Sequence, residues 1–348
     1  MSFRNLHLIH RRGLSLRAPV IWPLEDDPDS SLQEATGLAD LLAEPCFCAL
    51  VVVQDGRIRL ERYAADFGPA NFHSIQSITK TIAHIVIGKL VAERTLDVTR
   101  AIGDYVQEAG PAYTGVSVQQ ALDMDVSSNF SEDYSAPYAP APPPGAAVGY
   151  ARQEIAMGWR LPPPGEAEFG VRDFAAALVP APRKVASPET LYASPNTDML
   201  GWVIERVTGK GLVHHVNTIV EAAGFESPFH ISLDCKGVPV LSGGGVMTAR
   251  DLARYGLLLA QSSDFLVDTM GGKGTRYVGV PGWRYRNHLL SDGRRVGHPG
   301  YAGQFLMVDP ERCAAAAFFS VLETPDGTSE GYFARVMGVL GGLLDGIA

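Results

Sequence analysis

The sequence predicts an α/β fold in which an antiparallel sheet is flanked by helices. Three patterns support this class: a hairpin in the first third of the chain, two strands near its end, and apolar helical periodicity elsewhere. Residues 49–53 and 57–63 flank an Asp55-Gly56 pair, which is typical of a β-hairpin turn. Residues 304–308 and 314–321 predict two more antiparallel strands. Strands from both parts of the chain are therefore expected to share one sheet.

Helices account for most of the remaining apolar periodicity. Apolar residues recur at helical spacing from Ser77 to about Thr95, which predicts a largely buried helix. Further helices are predicted from residue 196 to a stop at Gly209, from about residue 248 onward, and over residues 333–344.

The chain is predicted to divide into an α/β domain and an inserted subdomain. Residues 25–96 and 192–348 form the α/β domain, and residues 97–191 form a helical, proline-rich insertion. Prolines are too dense over residues 137–164 for a continuous helix or strand, and aromatic residues lie among them. Two interpretations of that segment stay open: a lid over a binding site, or a stiff surface connection.

Composition excludes several classes of protein. The 348 residues are 46% hydrophobic and 19% charged, which is typical of a globular chain and not of a disordered one. No uncharged apolar run is long enough to cross a membrane, and the net charge of −9 argues against a nucleic-acid partner. The first residues lack the apolar core and cleavage site of a secretory signal, so we expect a cytoplasmic protein. Nothing in the sequence indicates the oligomeric state.

The motif that carries chemistry is Ser77-Ile78-Thr79-Lys80, an S-x-x-K pattern at the start of the buried helix. Residues i and i+3 share a helix face, so the hydroxyl of Ser77 and the amine of Lys80 can meet. A serine hydroxyl needs a nearby base to become a nucleophile, and a lysine in a dry pocket can lose its proton near neutral pH. N–H groups at the start of the helix could stabilise an oxyanion.

The segment around this motif resembles a known family. Residues 72–81 are similar to the nucleophile segment of the serine β-lactamase and penicillin-binding-protein superfamily. The resemblance is nearest to the branch that holds class C β-lactamases, family VIII carboxylesterases and 6-aminohexanoate-dimer hydrolases. It extends over further motifs in the same order, at residues 96–98, 121–125, 192–202, 243–245, 250–254, 297–304 and 308–310. The resemblance implies a β-lactamase-like fold with the active site in the cleft between the two parts of the chain.

The resemblance also implies roles for residues distant from the first motif. Tyr192 matches the tyrosine of the family's Y-x-N motif, which relays protons, while Ser194 replaces the usual asparagine as in the 6-aminohexanoate-dimer hydrolases. His298-Pro299-Gly300 fits the H-x-G form of the third motif. His298 and Gly300 would then border the substrate, and the N–H of Tyr301 would join that of Ser77 as an oxyanion donor.

The sequence thus favours a serine hydrolase that cleaves a small ester or linear amide. Lys80 and Tyr192 would act as general base and acid, and Ser77 would carry the acyl group. Two alternatives stay open: a β-lactamase or D-amino-acid peptidase acting on cell-wall material, and a non-catalytic binding protein on the same fold. Pro299 lacks the hydroxyl and N–H of threonine, which weakens the case for recognition of a β-lactam carboxylate. Neither a cofactor nor a metal ion is implied.

Overall fold

A computed structural model describes residues 3–134, 146–183, 188–261, 263–324, 327, 329 and 331–347. Its α-helices are α1 (Leu6–Ile9), α2 (Leu38–Leu42), α3 (Thr81–Ala92), α4 (Val118–Leu122), α5 (Tyr150–Ala156), α6 (Val171–Ala177), α7 (Pro195–Thr208), α8 (Leu212–Ala223), α9 (Ala249–Leu259), α10 (Asp264–Met270) and α11 (Tyr332–Gly346). Its 3₁₀ helices are Ser30–Glu34, Gln76–Lys80 and Ile102–Asp104. Its strands are β1 (Gly13–Leu16), β2 (Glu25–Asp26), β3 (Phe47–Gln54), β4 (Arg57–Tyr63), β5 (His73–Ser74), β6 (Phe130–Ser131), β7 (Val148–Gly149), β8 (Phe229–Ser232), β9 (Gly245–Met247), β10 (Thr275–Arg276), β11 (Arg284–Arg286), β12 (Leu289–Ser291), β13 (Val296–Gly300), β14 (Gln304–Asp309) and β15 (Ala314–Ser320).

A nine-stranded sheet forms the centre, in the order β10-β11-β12-β13-β14-β15-β3-β4-β2. The β3–β4 hairpin turns at Asp55 and Gly56, both with positive φ, as an Asp-Gly turn requires. Strand β15 pairs antiparallel with β3, and Phe318 lies opposite Leu50. Distant parts of the chain therefore share one sheet, and the predicted α/β class with an antiparallel sheet is confirmed. A smaller sheet has the order β1-β8-β9-β5.

The central sheet is buried on both faces. Along β3 the side chains alternate between two apolar clusters, with Val51 and Val53 in one and Leu50 and Val52 in the other. This alternation follows from the two-residue period of a strand. Helix α9 belongs to the first cluster and α11 to the second, so helices cover both faces.

Strand β15 shows the same alternation, and its small side chains let a helix approach closely. Ala315 and Ala317 face the cluster that contains α9. A Cβ atom added to Gly256 of that helix would lie 2.5 Å from the Cβ of Ala315, which is too close for any real contact. Gly256 therefore fixes how closely α9 packs on the sheet.

We expect Gly256→Ala to lower the free energy of unfolding by about 1–3 kcal/mol, because neither the helix nor the sheet can yield without shifting backbone. Gly342→Ala is the matched control, since it also lies inside a helix but a Cβ there meets no atom within 4 Å. Alanine favours helices over glycine by about 0.5–1 kcal/mol, so this variant should be as stable as the wild type or slightly more so. Urea unfolding of both variants measures the difference, and equal stability of the two would contradict the close-packing argument.

The helix predicted from Ser77 to about Thr95 begins differently in the structure. Residues Gln76–Lys80 form a 3₁₀ helix and the α-helix α3 runs over Thr81–Ala92. A 3₁₀ helix has three residues per turn, so residues i and i+3 eclipse one another. The difference strengthens the predicted meeting of Ser77 and Lys80.

The segment predicted to be an inserted subdomain contains short helices and two short strands. Over its described residues, no strand of 97–191 joins the nine-stranded sheet, and β6 and β7 pair only with each other. Helices α4 and α6 pack on α7, which follows the segment in sequence. The division into two domains stays a prediction. Residues 137–145 of the proposed lid lie outside the described residues, and 146–164 include β7 and α5.

Among the helices that the structure describes, none is long and apolar enough to span a lipid bilayer.

Candidate active site

Ser77 lies in a turn that is held by hydrogen bonds from the residues on both sides of it. The residue before it, Gln76, has a φ of 44°, an unusual backbone for a residue with a side chain. Its backbone N–H and its side-chain amide both donate to the hydroxyl of Ser74, at 3.3 and 2.8 Å. The hydroxyl of Thr79 donates to the Gln76 carbonyl at 2.7 Å and accepts from the Gly245 N–H at 3.0 Å. The structure thus holds a strained turn in one conformation, as is common at functional sites.

Lys80 meets Ser77 as the motif predicts. Its Nζ donates to Ser77 Oγ at 2.9 Å and also to the carbonyl of Ser242. The Lys80 side chain is fully buried, and burial lowers its pKa from 10.5 to about 8, although the charges of Glu132 and Asp198 act in the opposite direction. Lys80 therefore has the position and the pKa of a general base for Ser77.

Tyr192 lies beside both Ser77 and Lys80. Its hydroxyl faces the Ser77 hydroxyl, and Lys80 Nζ lies 5.2 Å from the centre of its ring. Burial, with the nearby Tyr285 and Glu132, raises the pKa of Tyr192 well above 10. Tyr192 thus keeps its proton at neutral pH, which suits a proton donor rather than a base.

Ser77 and Tyr192 border a cavity of about 270 Å³. Its wall is mostly aromatic and apolar, and it contains the predicted residues Ser77, Tyr192, His298, Gly300 and Tyr301. The other lining residues are Glu132, Tyr134, Tyr277, Tyr285, Leu290, Pro299, Gly327 and Phe333. The structure therefore brings the predicted residues together, with Lys80 behind Ser77 and Ser194 behind Glu132 rather than in the wall itself.

His298 borders the cavity with both ring nitrogens already bonded within the protein. Nδ1 lies 2.6 Å from the Pro299 carbonyl, so Nδ1 carries the proton and Nε2 accepts from the Tyr285 hydroxyl at 3.0 Å. Burial and the Lys80 charge lower the pKa of His298 to about 3. A neutral His298 therefore orients Tyr285 in the cavity wall.

Gly300 ends β13 directly against the nucleophile turn. A Cβ there would lie 2.8 Å from the Ile75 carbonyl and 2.6 Å from the side chain of Gln304. The sequence suggested that this glycine lets a substrate approach the strand. In the structure the close approach is made by the protein's own backbone, so Gly300 sets the distance between β13 and Ser77.

Ser194 binds a carboxylate that the sequence analysis did not single out. Its N–H and hydroxyl donate to the two oxygens of Glu132, at 2.7 and 2.5 Å, and the Tyr134 hydroxyl donates to the same carboxylate at 2.8 Å. Glu132 then borders the cavity beside Ser77. Glu132 is one of four acidic residues between positions 123 and 133, a pattern typical of a solvated loop, and no spacing rule links it to Ser194.

Asp198 and Ser242 are further residues that the sequence did not reveal. Both are buried, Asp198 in the first turn of α7 and Ser242 just before β9. A signal was present for Asp198, because a carboxylate among the apolar residues of α7 is costly unless it has a role. Among the described residues, no group of three His, Cys, Asp or Glu side chains is placed to hold a metal ion.

Comparisons with known proteins identify relatives of this chain. A 6-aminohexanoate-dimer hydrolase from Paenarthrobacter ureafaciens is 34% identical over 230 residues, which are 65% of this chain and 55% of that relative. The match therefore spans little more than half of the relative's length. A Bacillus anthracis structure described as a 6-aminohexanoate-dimer hydrolase superposes with a TM-score of 0.78 at 19% identity, over 99% of this chain and 92% of the other. A D-stereospecific amidohydrolase from Streptomyces sp. superposes with a TM-score of 0.62 at 18% identity, over 92% and 99%.

The two structural matches show a shared fold, and a family model identifies the family. The model of the Beta-lactamase family matches residues 48–336, which include Ser77, Lys80, Tyr192 and the 298–300 motif. The chain belongs to the beta-lactamase family.

Proposed function

We propose that this protein is a serine hydrolase that cleaves a carboxylic ester or a linear amide through an acyl-enzyme on Ser77. The observation that carries the proposal is the 2.9 Å contact from Lys80 Nζ to Ser77 Oγ, beside a mostly apolar cavity that Ser77 lines. A buried lysine with a pKa near 8 has few structural uses, since burying it costs free energy. Its value lies in accepting a proton at the working pH.

The chemistry follows from the positions of the three polar groups. Neutral Lys80 takes the proton of Ser77 as its oxygen attacks the substrate carbonyl carbon. Tyr192, still protonated, gives its proton to the leaving alkoxide or amine and regains one from the Lys80 ammonium. Water then attacks the acyl-enzyme while neutral Lys80 accepts its proton, and that proton passes to the Ser77 oxygen as the acid leaves. We propose the N–H groups of Ser77 and Tyr301 as the oxyanion donors, since β13 ends against the nucleophile turn.

The cavity wall bears on the substrate class. Among the described residues that line it, none is a lysine or an arginine, and Glu132 is the one with a carboxylate. A substrate with a carboxylate beside the scissile bond, as in a β-lactam, would therefore meet no cation there. An uncharged, partly apolar acyl group fits this wall better, which favours an ester or a linear amide over a β-lactam.

The test combines turnover with covalent labelling. We expect hydrolysis of p-nitrophenyl acetate and butyrate, a single fluorophosphonate adduct on the peptide that contains Ser77, and little hydrolysis of nitrocefin. Nitrocefin turnover above that of the esters would favour the β-lactamase alternative. Folded protein with neither turnover nor adduct would favour a binding protein.

The pKa of Lys80 predicts how the rate depends on pH. Lys80 must be neutral to act, so kcat/KM should rise with pH through about 8 and level off above it. Tyr192 loses its proton only well above pH 10, so no fall is expected below that pH. Initial rates with p-nitrophenyl butyrate from pH 6 to 9.5, corrected for spontaneous hydrolysis, measure the profile. A flat or falling profile between pH 7 and 9 would exclude Lys80 as the base.

A further inference from the structure

A buried polar cluster lies on the core side of Lys80, away from the substrate cavity. It consists of Asp198, Ser242 and Gln153, which come from α7, the segment before β9, and α5. Gln153 Nε2 donates weakly to Asp198 Oδ2 at 3.5 Å, and the Asp198 carboxyl faces the N–H and hydroxyl of Ser242. The Ser242 carbonyl in turn accepts from Lys80 Nζ. The cluster thus connects Asp198 to the proposed base through one residue.

The hydrogen bonding of this cluster is incomplete within the described structure. Asp198 Oδ1, Ser242 Oγ and Gln153 Oε1 are buried and meet no partner in hydrogen-bond geometry. Buried polar atoms are almost always paired, so three unpaired atoms in one cluster call for an explanation. A carboxylate that only held the fold would make short, well-formed hydrogen bonds, whereas the contacts of Asp198 with Gln153 and Ser242 are long or poorly oriented.

The second carboxylate near Lys80 differs in this respect. Glu132 accepts from the Ser194 N–H, the Ser194 hydroxyl and the Tyr134 hydroxyl, so its charge is already compensated. Both carboxylates raise the pKa of Lys80 against the effect of burial. Only Asp198 combines that influence with an unpaired oxygen.

We propose that Asp198 is a positioning residue for the Ser77–Lys80 pair: through Ser242, its buried carboxylate provides the counter-charge for the ammonium that Lys80 becomes. In the acylation step the Ser77 O–H bond breaks, the oxygen bonds the substrate carbon, and the proton moves to Lys80 Nζ. Asp198 gains no atom in this step, but it offsets the positive charge that forms in a dry environment. This inference rests on the proposed function.

Few other groups near Asp198 and Lys80 change charge near neutral pH. Burial raises the pKa of Tyr113 and Tyr150, which face Asp198, and of Tyr192 beyond it. Burial lowers the pKa of the nearby His288 and His298, so both stay neutral. Burial also raises the pKa of Asp198 to about 7. The carboxylate should therefore lose its charge, and its effect on Lys80, as the pH falls below neutral.

Asp198→Asn tests the proposal, because the amide keeps the size of the side chain and removes its charge. Without the carboxylate, the Lys80 ammonium is less stable, so the pKa of Lys80 falls and the rise of kcat/KM should move about one pH unit lower. The plateau rate should fall about 10- to 100-fold, because the ammonium formed in acylation also loses its counter-charge. KM should change little, since Asp198 does not border the substrate cavity.

Asp251→Asn is the matched control. Asp251 is also a buried aspartate in the first turn of a helix, but it binds the Glu226 and Ser227 N–H groups and Arg254, away from Lys80. This variant should lose stability without moving the pH profile. Titration of each preparation with a fluorophosphonate gives its fraction of competent enzyme, so that rates refer to folded protein.

The outcomes separate the two proposals. If the wild type turns over but Asp198→Asn keeps the same pH profile and the same plateau rate, the role of Asp198 is overturned. The proposed function is then unaffected. An equal shift in Asp198→Asn and Asp251→Asn also overturns it, because the effect would then be structural. Wild-type protein that neither turns over nor labels overturns the proposed function, and the role of Asp198 with it.

Discussion

Ser77→Ala is expected to lower kcat/KM for p-nitrophenyl butyrate by about 10⁴- to 10⁶-fold and to abolish the fluorophosphonate adduct. The reason is that the Ser77 oxygen is the atom that bonds the acyl group, and no other hydroxyl at the cavity shares its contact with Lys80 in the described structure. Stability should change little, because the hydroxyl accepts from Lys80 but holds no other element in place.

The control for this variant is Ser291→Ala. Ser291 is similarly buried, and its hydroxyl donates to the Arg295 carbonyl at 2.9 Å in the β12–β13 turn. Its loss should cost about 1 kcal/mol of stability and leave turnover intact. Thermal unfolding and turnover are measured on both variants. If Ser77→Ala retained more than a hundredth of the wild-type kcat/KM, the nucleophile would be a different residue.

Lys80→Met should lower kcat/KM by about 10²- to 10⁴-fold, because it removes the base while keeping an unbranched apolar stem of similar length. Lys80→Arg should be similarly inactive, since arginine stays protonated and cannot accept the Ser77 proton. The pair separates the need for a titratable amine from the need for a positive charge. Full activity in Lys80→Arg would contradict the general-base role.

Lys80→Met should also change how the free energy of unfolding depends on pH. Lys80 has a pKa of about 8 in the folded chain and 10.5 in its ordinary state, so between these values the unfolded chain binds more protons. Wild-type stability therefore gains with rising pH across that window, and below pH 8 the buried charge costs up to about 3 kcal/mol.

Lys80→Met lacks this contribution. The variant should therefore gain more stability over the wild type at pH 7, where the wild type buries a charge, than at pH 10, where it does not. Urea unfolding at the two pH values measures this difference. A difference that is the same at both would show that the Lys80 side chain is not buried as a base of lowered pKa.

The sequence predicted the fold and the contact between Ser77 and Lys80 because both leave local patterns. The Asp55-Gly56 turn and the alternation along β3 concern neighbouring residues, and the spacing of Ser77 and Lys80 lies within one helical turn. Periodicity and spacing are read directly from such segments. The 3₁₀ form of the turn was not predicted, because helix type depends on the packing of Thr79 against Gly245.

The residues around the nucleophile were harder to predict because they come from distant segments. Tyr192 was found only through a family resemblance, since nothing in its own segment points to Ser77. In the sequence Glu132 looks like a residue of a solvated loop, and only the structure shows that Ser194 binds it. Pairings of this kind depend on tertiary packing, which no single segment encodes. The catalytic role of Tyr192 stays a prediction.

The pairing of β3 with β15 has a consequence for how the chain folds. Ala49 and Phe319 are neighbours in the sheet although about 270 residues separate them in sequence. Contacts this distant slow folding, because a long loop must close before the contact stabilises it. During synthesis the β3–β4 hairpin leaves the ribosome long before β15 exists, so the edge of β3 that later pairs with β15 stays unpaired. We therefore expect refolding from urea to be slow and prone to aggregation, and a fragment that stops before residue 314 to depend on chaperones to stay dispersed.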